Sequence, residues 1–279
     1  MDNSQKTESV KTLVEGIDKK EIVLPEFQRD FVWDITKTYD LFDSLVRDVF
    51  IGAIIYGKPS FEITVREIDN RERKKKGQRR QNLVVISYTK KQVDTLKQTS
   101  NFRLILDGQQ RITSLYRAIK NTDPVWFIVK NDDDLESQFL NEPIQKLSLE
   151  SLLYEFTGQQ SSERLSIKIS DVWRMVEGDF VFESEQRQLF TNGDFYKSRD
   201  FNEEELDLLF KKYLIILTKL RDLLISEKML SYYLLDTTSE KFALFFERSN
   251  SRGVQLNFVD ILSAKLYEGF RLRKEIERF

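Results

Sequence analysis

Asp107-Gly108-Gln109-Gln110-Arg111 places a carboxylate, a glycine, two amides and a guanidinium in a row, between a β-patterned run at 102–106 and a helix-patterned run starting near Ile112. Glycine lets a backbone approach a ligand closely, and the open N–H groups of a helix start carry roughly half an elementary charge, so such a turn suits an anion such as phosphate. Arg111 can grip phosphate oxygens with two parallel hydrogen bonds. The ordinary alternative is a surface turn in which Asp107 caps a helix and Arg111 is solvated.

A second segment, 24–33, sets another amide and guanidinium, Gln28 and Arg29, among Phe27, Phe31 and Trp33. These rings could stack on a base or pack in a core. Further along stand Val49-Phe50-Ile51-Gly52 and the polar run Asn250-Ser251-Arg252-Gly253 within 246–260. Read locally, the latter is a turn, with Asn257 capping a following helix and Asp260 in its first turn. Gly57-Lys58-Pro59-Ser60 lacks the glycine spacing and the hydroxyl after lysine of a Walker A loop, and no dinucleotide fingerprint occurs.

These motifs in this order, from about Leu13 to Leu266, resemble the GmrSD type of modification-dependent restriction proteins, and Asp107-Gly108-Gln109-Gln110-Arg111 is the most specific part of the likeness. The resemblance implies an N-terminal domain similar to the ParB and sulfiredoxin nucleotide-binding fold. It also implies binding and hydrolysis of a nucleoside triphosphate that controls DNA cleavage in defence against phage. On that view Arg111 and Arg29 neutralise the triphosphate, backbone amides after Gly108 cradle it, and Gln28, Asn250 and Arg252 complete the nucleotide site. Asp107 holds Mg2+ or serves as the base, and Gln109 or Gln110 positions the attacking water. The implied partners are DNA, possibly modified, and an HNH-type nuclease domain or subunit, with homo-oligomer formation also open.

Three other readings stay in play. One is a nucleotide-gated DNA-binding switch without hydrolysis. Another is a nuclease built on Glu72-Arg73-Lys74, which lies in a basic loop and lacks a well-spaced aspartate partner. The last is a docking module whose polar motifs are only turns.

Composition removes several chemistries. With no cysteine and no histidine in 279 residues, disulfides, thiolate and imidazole zinc sites, Ser-His and Cys-His pairs and an HNH centre are all excluded within this chain. A bound metal would be hard and oxygen-liganded. The start, Met1-Asp2-Asn3-Ser4-Gln5, lacks a basic and apolar leader, and no long apolar run occurs, so the expected location is the cytoplasm with no membrane span. The net charge of −2 argues against general DNA coating. Residues 71–80 nevertheless hold seven basic side chains and one acidic one, which suits either a solvated tip or a phosphate-backbone contact.

The elements that would position these groups can also be read. Asp34 or Thr36 caps a helix carrying Phe42, Leu45, Val46 and Val49, and short strands follow at 53–56, 61–68 and 82–88. The runs 102–106, Ile112 to Ile119 and 125–129 have the order of a strand-helix-strand unit, with the motif at its pivotal turn. After Lys130 the acidic connector Asn131-Asp132-Asp133-Asp134 leads into helical patterns. Among them is a long helix announced by an Asn202 and Glu205 capping box and a Phe201 and Leu206 staple. A helix from Phe242 to Arg248 follows. The predicted class is α+β: a mixed sheet with helices over residues 1–130, then a mainly helical region over 131–279 packing against it. The closing stretch stays helix-compatible to Phe279 without a cap, which leads us to expect a piece of a larger machine.

Overall fold

Short apolar strands with both faces covered are what a central sheet between two layers requires, and the strand Arg103–Asp107 shows it best. Leu104 and Leu106 join one hydrophobic cluster while Ile105 joins the other, as the two-residue period of a strand dictates. The computed structural model describes residues 4–26, 28, 30–73, 82–136, 139, 142–239, 241–242 and 244–245.

In chain order, β1 (Ser4–Glu8), α1 (Val10–Asp18) and β2 (Ile22–Pro25) precede α2 (Ile35–Val46). The Asp34 carboxylate caps α2 by accepting the Lys37 N–H at 3.1 Å, as its position predicts. Next come β3 (Ile54–Pro59), β4 (Ile63–Arg66), β5 (Val85–Tyr88), α3 (Lys90–Thr99), β6 (Arg103–Asp107) and α4 (Gln109–Ile119). The remainder comprises β7 (Trp126–Val129), α5 (Leu149–Leu152), β8 (Leu153–Thr157), β9 (Ser166–Lys168), α6 (Ile169–Glu177), α7 (Glu183–Thr191), α8 (Asp194–Lys197), α9 (Glu203–Ile225) and β10 (Met229–Thr237). The protein is α+β, and the described residues after 130 form α5 to α9 with the strands β8, β9 and β10.

The large sheet has seven strands in the order β1-β10-β3-β6-β2-β4-β5. β10 runs antiparallel to β1 and parallel to β3, and β6 is parallel to β2 and antiparallel to β3. A buried polar group ties four of these strands together. Arg103 on β6 donates to Glu8 on β1 at 2.6 Å and lies 4.4 Å from the ring centroid of Tyr56 on β3. Glu8 also accepts from the Ser231 and Tyr233 hydroxyls of β10 at 2.5 and 3.0 Å. Burying a carboxylate is costly unless it is paired and hydrogen-bonded in this way.

One expectation is corrected. The β6, α4 and β7 segments follow one another as predicted but do not share a sheet, because β7 is the middle strand of a second, three-stranded sheet ordered β8-β7-β9. The turn after α4 turns the chain away. Asn121 takes φ 58°, and the N–H groups of Thr122 and Asp123 both return to the Arg117 carbonyl at 2.8 and 3.2 Å. The chain change at 130/131 falls just past β7, whose partners β8 and β9 come from beyond it, while β10 from the same later region enters the large sheet.

α9 begins with the capping box read from the sequence: Glu205 N–H donates to Asn202 Oδ1 at 2.9 Å, and Asn202 N–H to Glu205 Oε2 at 3.2 Å. Its buried stripe, including Phe210, Tyr213, Ile216, Leu217 and Leu220, belongs to the larger core, along with apolar residues of α1, α2, α4 and α6. Helical residues at 239, 241–242 and 244–245 agree with the helix expected around Phe242. Among the described residues no helix is long and apolar enough to cross a membrane.

Candidate functional site

Gly108 sits at the carboxyl end of β6 with φ 92°, and as the N-cap of α4 it offers no side chain to the helix. The left-handed φ favours glycine, and the first N–H groups of α4 therefore have no side-chain cap from that position. Gln109, Gln110 and Arg111 form the first turn, and Gln109 and Gln110 are buried.

Arg111 folds back onto the segment before β3. Its Nη1 donates to the Ile51 carbonyl at 2.6 Å, and its Nη2 donates to the Ala53 carbonyl at 3.0 Å and to Asp107 Oδ2 at 3.2 Å. Gly52 lies between those two carbonyls with φ 88°, and a Cβ there would stand 1.9 Å from Arg111 Nη1. This close approach is the physical reason for the glycine in the motif at 49–52.

Residues 28 and 30–33 cross the start of α4 as a strap held from several sides. The Gln28 amide donates to the Ile105 and Leu106 carbonyls at 2.7 and 3.3 Å, which fixes it against the end of β6. Gln110 reaches up from α4: its Oε1 accepts the N–H groups of Val32 and Trp33 at 2.9 and 3.2 Å, and its Nε2 donates to the Asp30 carbonyl at 3.1 Å. Arg66 at the end of β4 donates to the Asp30 carboxylate and the Gln28 carbonyl, both at 2.7 Å. Gln28 is 5% exposed, yet its Oε1 has no hydrogen-bond partner among the described residues.

The strap's other flank rests on a buried ion cluster that sequence reasoning missed. Arg117 is fully buried and donates to Asp123 through Nε at 2.7 Å and Nη2 at 3.0 Å. Arg73 donates to the same carboxylate at 2.9 and 2.8 Å and also to the Trp33 carbonyl at 2.7 Å. The Phe31 ring has both guanidinium groups on it, Arg73 at 5.4 Å and Arg117 at 5.1 Å from its centroid. Burial alone would raise the Asp123 carboxyl, but hydrogen bonds from Arg117 and Arg73 outweigh it and hold the group below its ordinary value. Arg71 is likewise committed, donating through Nε and Nη2 to Asp69 at 2.9 and 2.8 Å. The leading arginines of the basic stretch are thus internal braces, neither a solvated tip nor a free phosphate contact. Residues 74–81 lie outside the described residues.

An open groove of about 260 Å³ lies beside Arg111 and is lined by Trp33, Lys37, Asp40, Ser44 and Ile51 among others. It brings together two cations and one aromatic ring, with Lys37 Nζ 5.8 Å from the Trp33 centroid. Of the rings proposed from sequence, Trp33 borders the groove and Phe31 is packed between guanidinium groups. Phe27, Arg29, Asn250 and Arg252 lie outside the described residues. The two neighbours of Arg29, Gln28 and Asp30, are bonded to the end of β6 and the first turn of α4 respectively.

A family model described as the GmrSD restriction endonuclease, N-terminal domain, matches residues 10–267. The chain belongs to this family. An uncharacterized protein of Methanocaldococcus jannaschii is 26% identical over 285 residues, an overlap that takes in 99% of this chain and 44% of the relative. The chain therefore spans less than half the length of that relative. Membership in the GmrSD family links the chain to restriction systems, and of the motifs that suggested it, those at 28–33, 49–52 and 107–111 have described residues that meet around the start of α4.

Lys37 was also missed, although its place three residues after the helix cap Asp34 was a usable signal: that spacing puts it on the first turn of α2, next to the strap. Arg66 and Arg73 carried no local signal, because their partners are 36 residues away for Arg66 with Asp30 and 50 for Arg73 with Asp123, whereas Arg117 and Asp123 stand only six residues apart across the turn after α4.

Proposed function

We propose that this GmrSD-family domain binds a nucleoside triphosphate with Mg2+ where the strap crosses α4, and that its hydrolysis regulates DNA restriction in phage defence. The observation that carries this reading is the glycine-capped start of α4 beside a groove edged by Arg111, Lys37 and Trp33. Open helix N–H groups and two cations suit a polyphosphate, and an indole at the rim suits a base. The mixed sheet is read here as a nucleotide-binding fold of the ParB and sulfiredoxin kind.

Asp107, 57% exposed beside Arg111, fits the single carboxylate that Mg2+ commonly takes alongside phosphate oxygens and water. Mg2+ would supply charge neutralisation of the phosphates. Asp107 is equally placed to accept a proton from water. The DNA substrate and the cutting chemistry, which needs a nuclease domain or subunit, belong to partners of this domain.

Titration calorimetry with each nucleoside triphosphate and Mg2+ tests the site, using Arg111→Ala and Lys37→Ala. Lys37 is exposed, so its loss leaves the braces intact. A charge-assisted hydrogen bond contributes about 1.5 to 3 kcal/mol, so each variant should bind about tenfold or more weakly. Unchanged affinity in both variants overturns the phosphate clamp.

One observation favours a second reading. Both ends of the Gln110 amide are engaged with the strap, which suits a ligand-sensing brace better than a holder of water. Under that reading the domain is a nucleotide-gated switch that binds without turnover. Nucleotide affinity without phosphate release selects it.

A further inference from the structure

The second sheet and the helices around it enclose a cavity of about 210 Å³ that shares no lining residue with the groove beside Arg111. Its walls include Trp126 of β7, Phe190 of α7 and Phe195 of α8, and its polar face carries Lys168, Asp171 and Tyr213. At ~30 Å³ per water this volume equals about seven waters, enough for one small heterocycle and too little for a nucleoside triphosphate.

The polar groups on this wall divide into two kinds. Some are satisfied by the protein: Gln160 Oε1 accepts the Asp194 N–H at 3.3 Å, Ser161 Oγ accepts the N–H groups of Glu163 and Arg164 at 3.1 Å each, and Ser166 Oγ accepts the Ser161 N–H at 3.0 Å. Others are uncommitted. Among the described residues Asp171 accepts no hydrogen bond and joins no ion pair, and the nearby Arg174 pairs with Asp179 at 3.0 Å instead. Tyr213, 4% exposed, stands on the same wall. Lys168 pairs with no carboxylate among these residues, and its Nζ rests 5.5 Å from the Trp126 centroid. Burial raises the Asp171 carboxyl, outweighing the opposing charges of Lys168 and Arg174.

A half-buried carboxylate without a donor is costly unless something supplies one. The donor must arrive on a body that fills a ring-lined cavity, and an ammonium on the same wall calls for an acceptor on that body. We infer that this cavity is a second ligand site, taking a planar nitrogen heterocycle that presents an amino group to Asp171 and a ring acceptor to Lys168. A carboxylate accepts well from the exocyclic amino group of such a ring, and the aromatic walls bury its faces. The inference is independent of the nucleotide reading of the strap.

Ligand-observed NMR and calorimetry on the whole chain test it with cytosine and adenine as amino-bearing probes, uracil as the ring with a carbonyl in place of the amino group, and methyl glucoside as a non-planar polyol. Cytosine or adenine should bind saturably and at least tenfold more tightly than uracil, whose carbonyl oxygen would face the carboxylate. Asp171→Asn, whose amide can donate, should shift the preference toward uracil. The comparison in the unaltered protein stands even if that variant folds poorly. Absence of binding by both amino-bearing rings, equal binding of uracil, or binding of methyl glucoside alone overturns the assignment.

Discussion

Gln110 Oε1 accepts the Val32 N–H at 2.9 Å across 78 residues of chain, so the first turn of α4 carries the strap on one side-chain amide. The same amide holds the Trp33 N–H and the Asp30 carbonyl, which makes Gln110 a brace whose loss frees three backbone groups together. Gln110→Ala should lower stability by about 1 to 3 kcal/mol, taking about 0.5 to 1.5 kcal/mol per hydrogen bond and allowing for partial exposure. Hydrogen exchange is the direct readout: the Val32 and Trp33 amides should exchange faster in the variant, and unchanged protection would refute the brace.

Gly52 offers a second entry to the same site. Its positive φ, and the Arg111 Nη1 that would stand 1.9 Å from an added Cβ, leave no room for a methyl group. Gly52→Ala should cost about 1 to 2 kcal/mol for the left-handed backbone alone and should also push the guanidinium off the Ile51 and Ala53 carbonyls. Urea unfolding should show the loss, and calorimetry should show weakened nucleotide binding. A variant as stable as the parent would show that the guanidinium does not rest on this backbone.

Asp123 is the anion at the centre of a buried cluster, with 3% of its side chain exposed and two guanidinium groups upon it. Removing it leaves Arg117 buried without its counter-charge. Asp123→Ala should therefore destabilise the protein by about 3 to 5 kcal/mol in chemical denaturation. A loss under about 1 kcal/mol would be typical of an exposed pair and would contradict the burial.

The same carboxylate sets an acid limit. Its folded pKa is depressed below the ordinary 3.8, so its contribution is complete above that value and is lost as pH falls through the folded pKa. Melting temperature followed downward from neutral pH should fall more steeply below about pH 4 in the parent than in Asp123→Asn, which lacks the titrating group. Parallel acid profiles would exclude Asp123 as a contributor.

What could be read from the sequence was what is local. Asp34 before α2, and Asn202 with Glu205 before α9, act within four residues, and both caps form as their spacing predicts. The motif at 107–111 was also legible as a strand-to-helix turn, because an apolar run, a glycine and a helical period are adjacent. Its bonding was less legible: Arg111 fits phosphate chemistry, yet backbone carbonyls from 51 and 53 already occupy part of it. Arg73 read as part of a basic loop, since Asp123, the partner it shares with Arg117, lies 50 residues further along the chain. β7 was misplaced because periodicity reports which faces are buried, not which strands will lie alongside.

β10 sits inside the large sheet, between β1 and β3, although it is made more than 200 residues after β1. During synthesis β1 and the facing edge of β3 must wait unpaired until residue 237 has left the ribosome. Any nascent chain interrupted before Met229 therefore presents two unpaired rims to its neighbours, a state prone to intermolecular pairing. It also leaves Glu8 without its Ser231 and Tyr233 donors, so completion of translation and completion of the sheet's polar interior are one event.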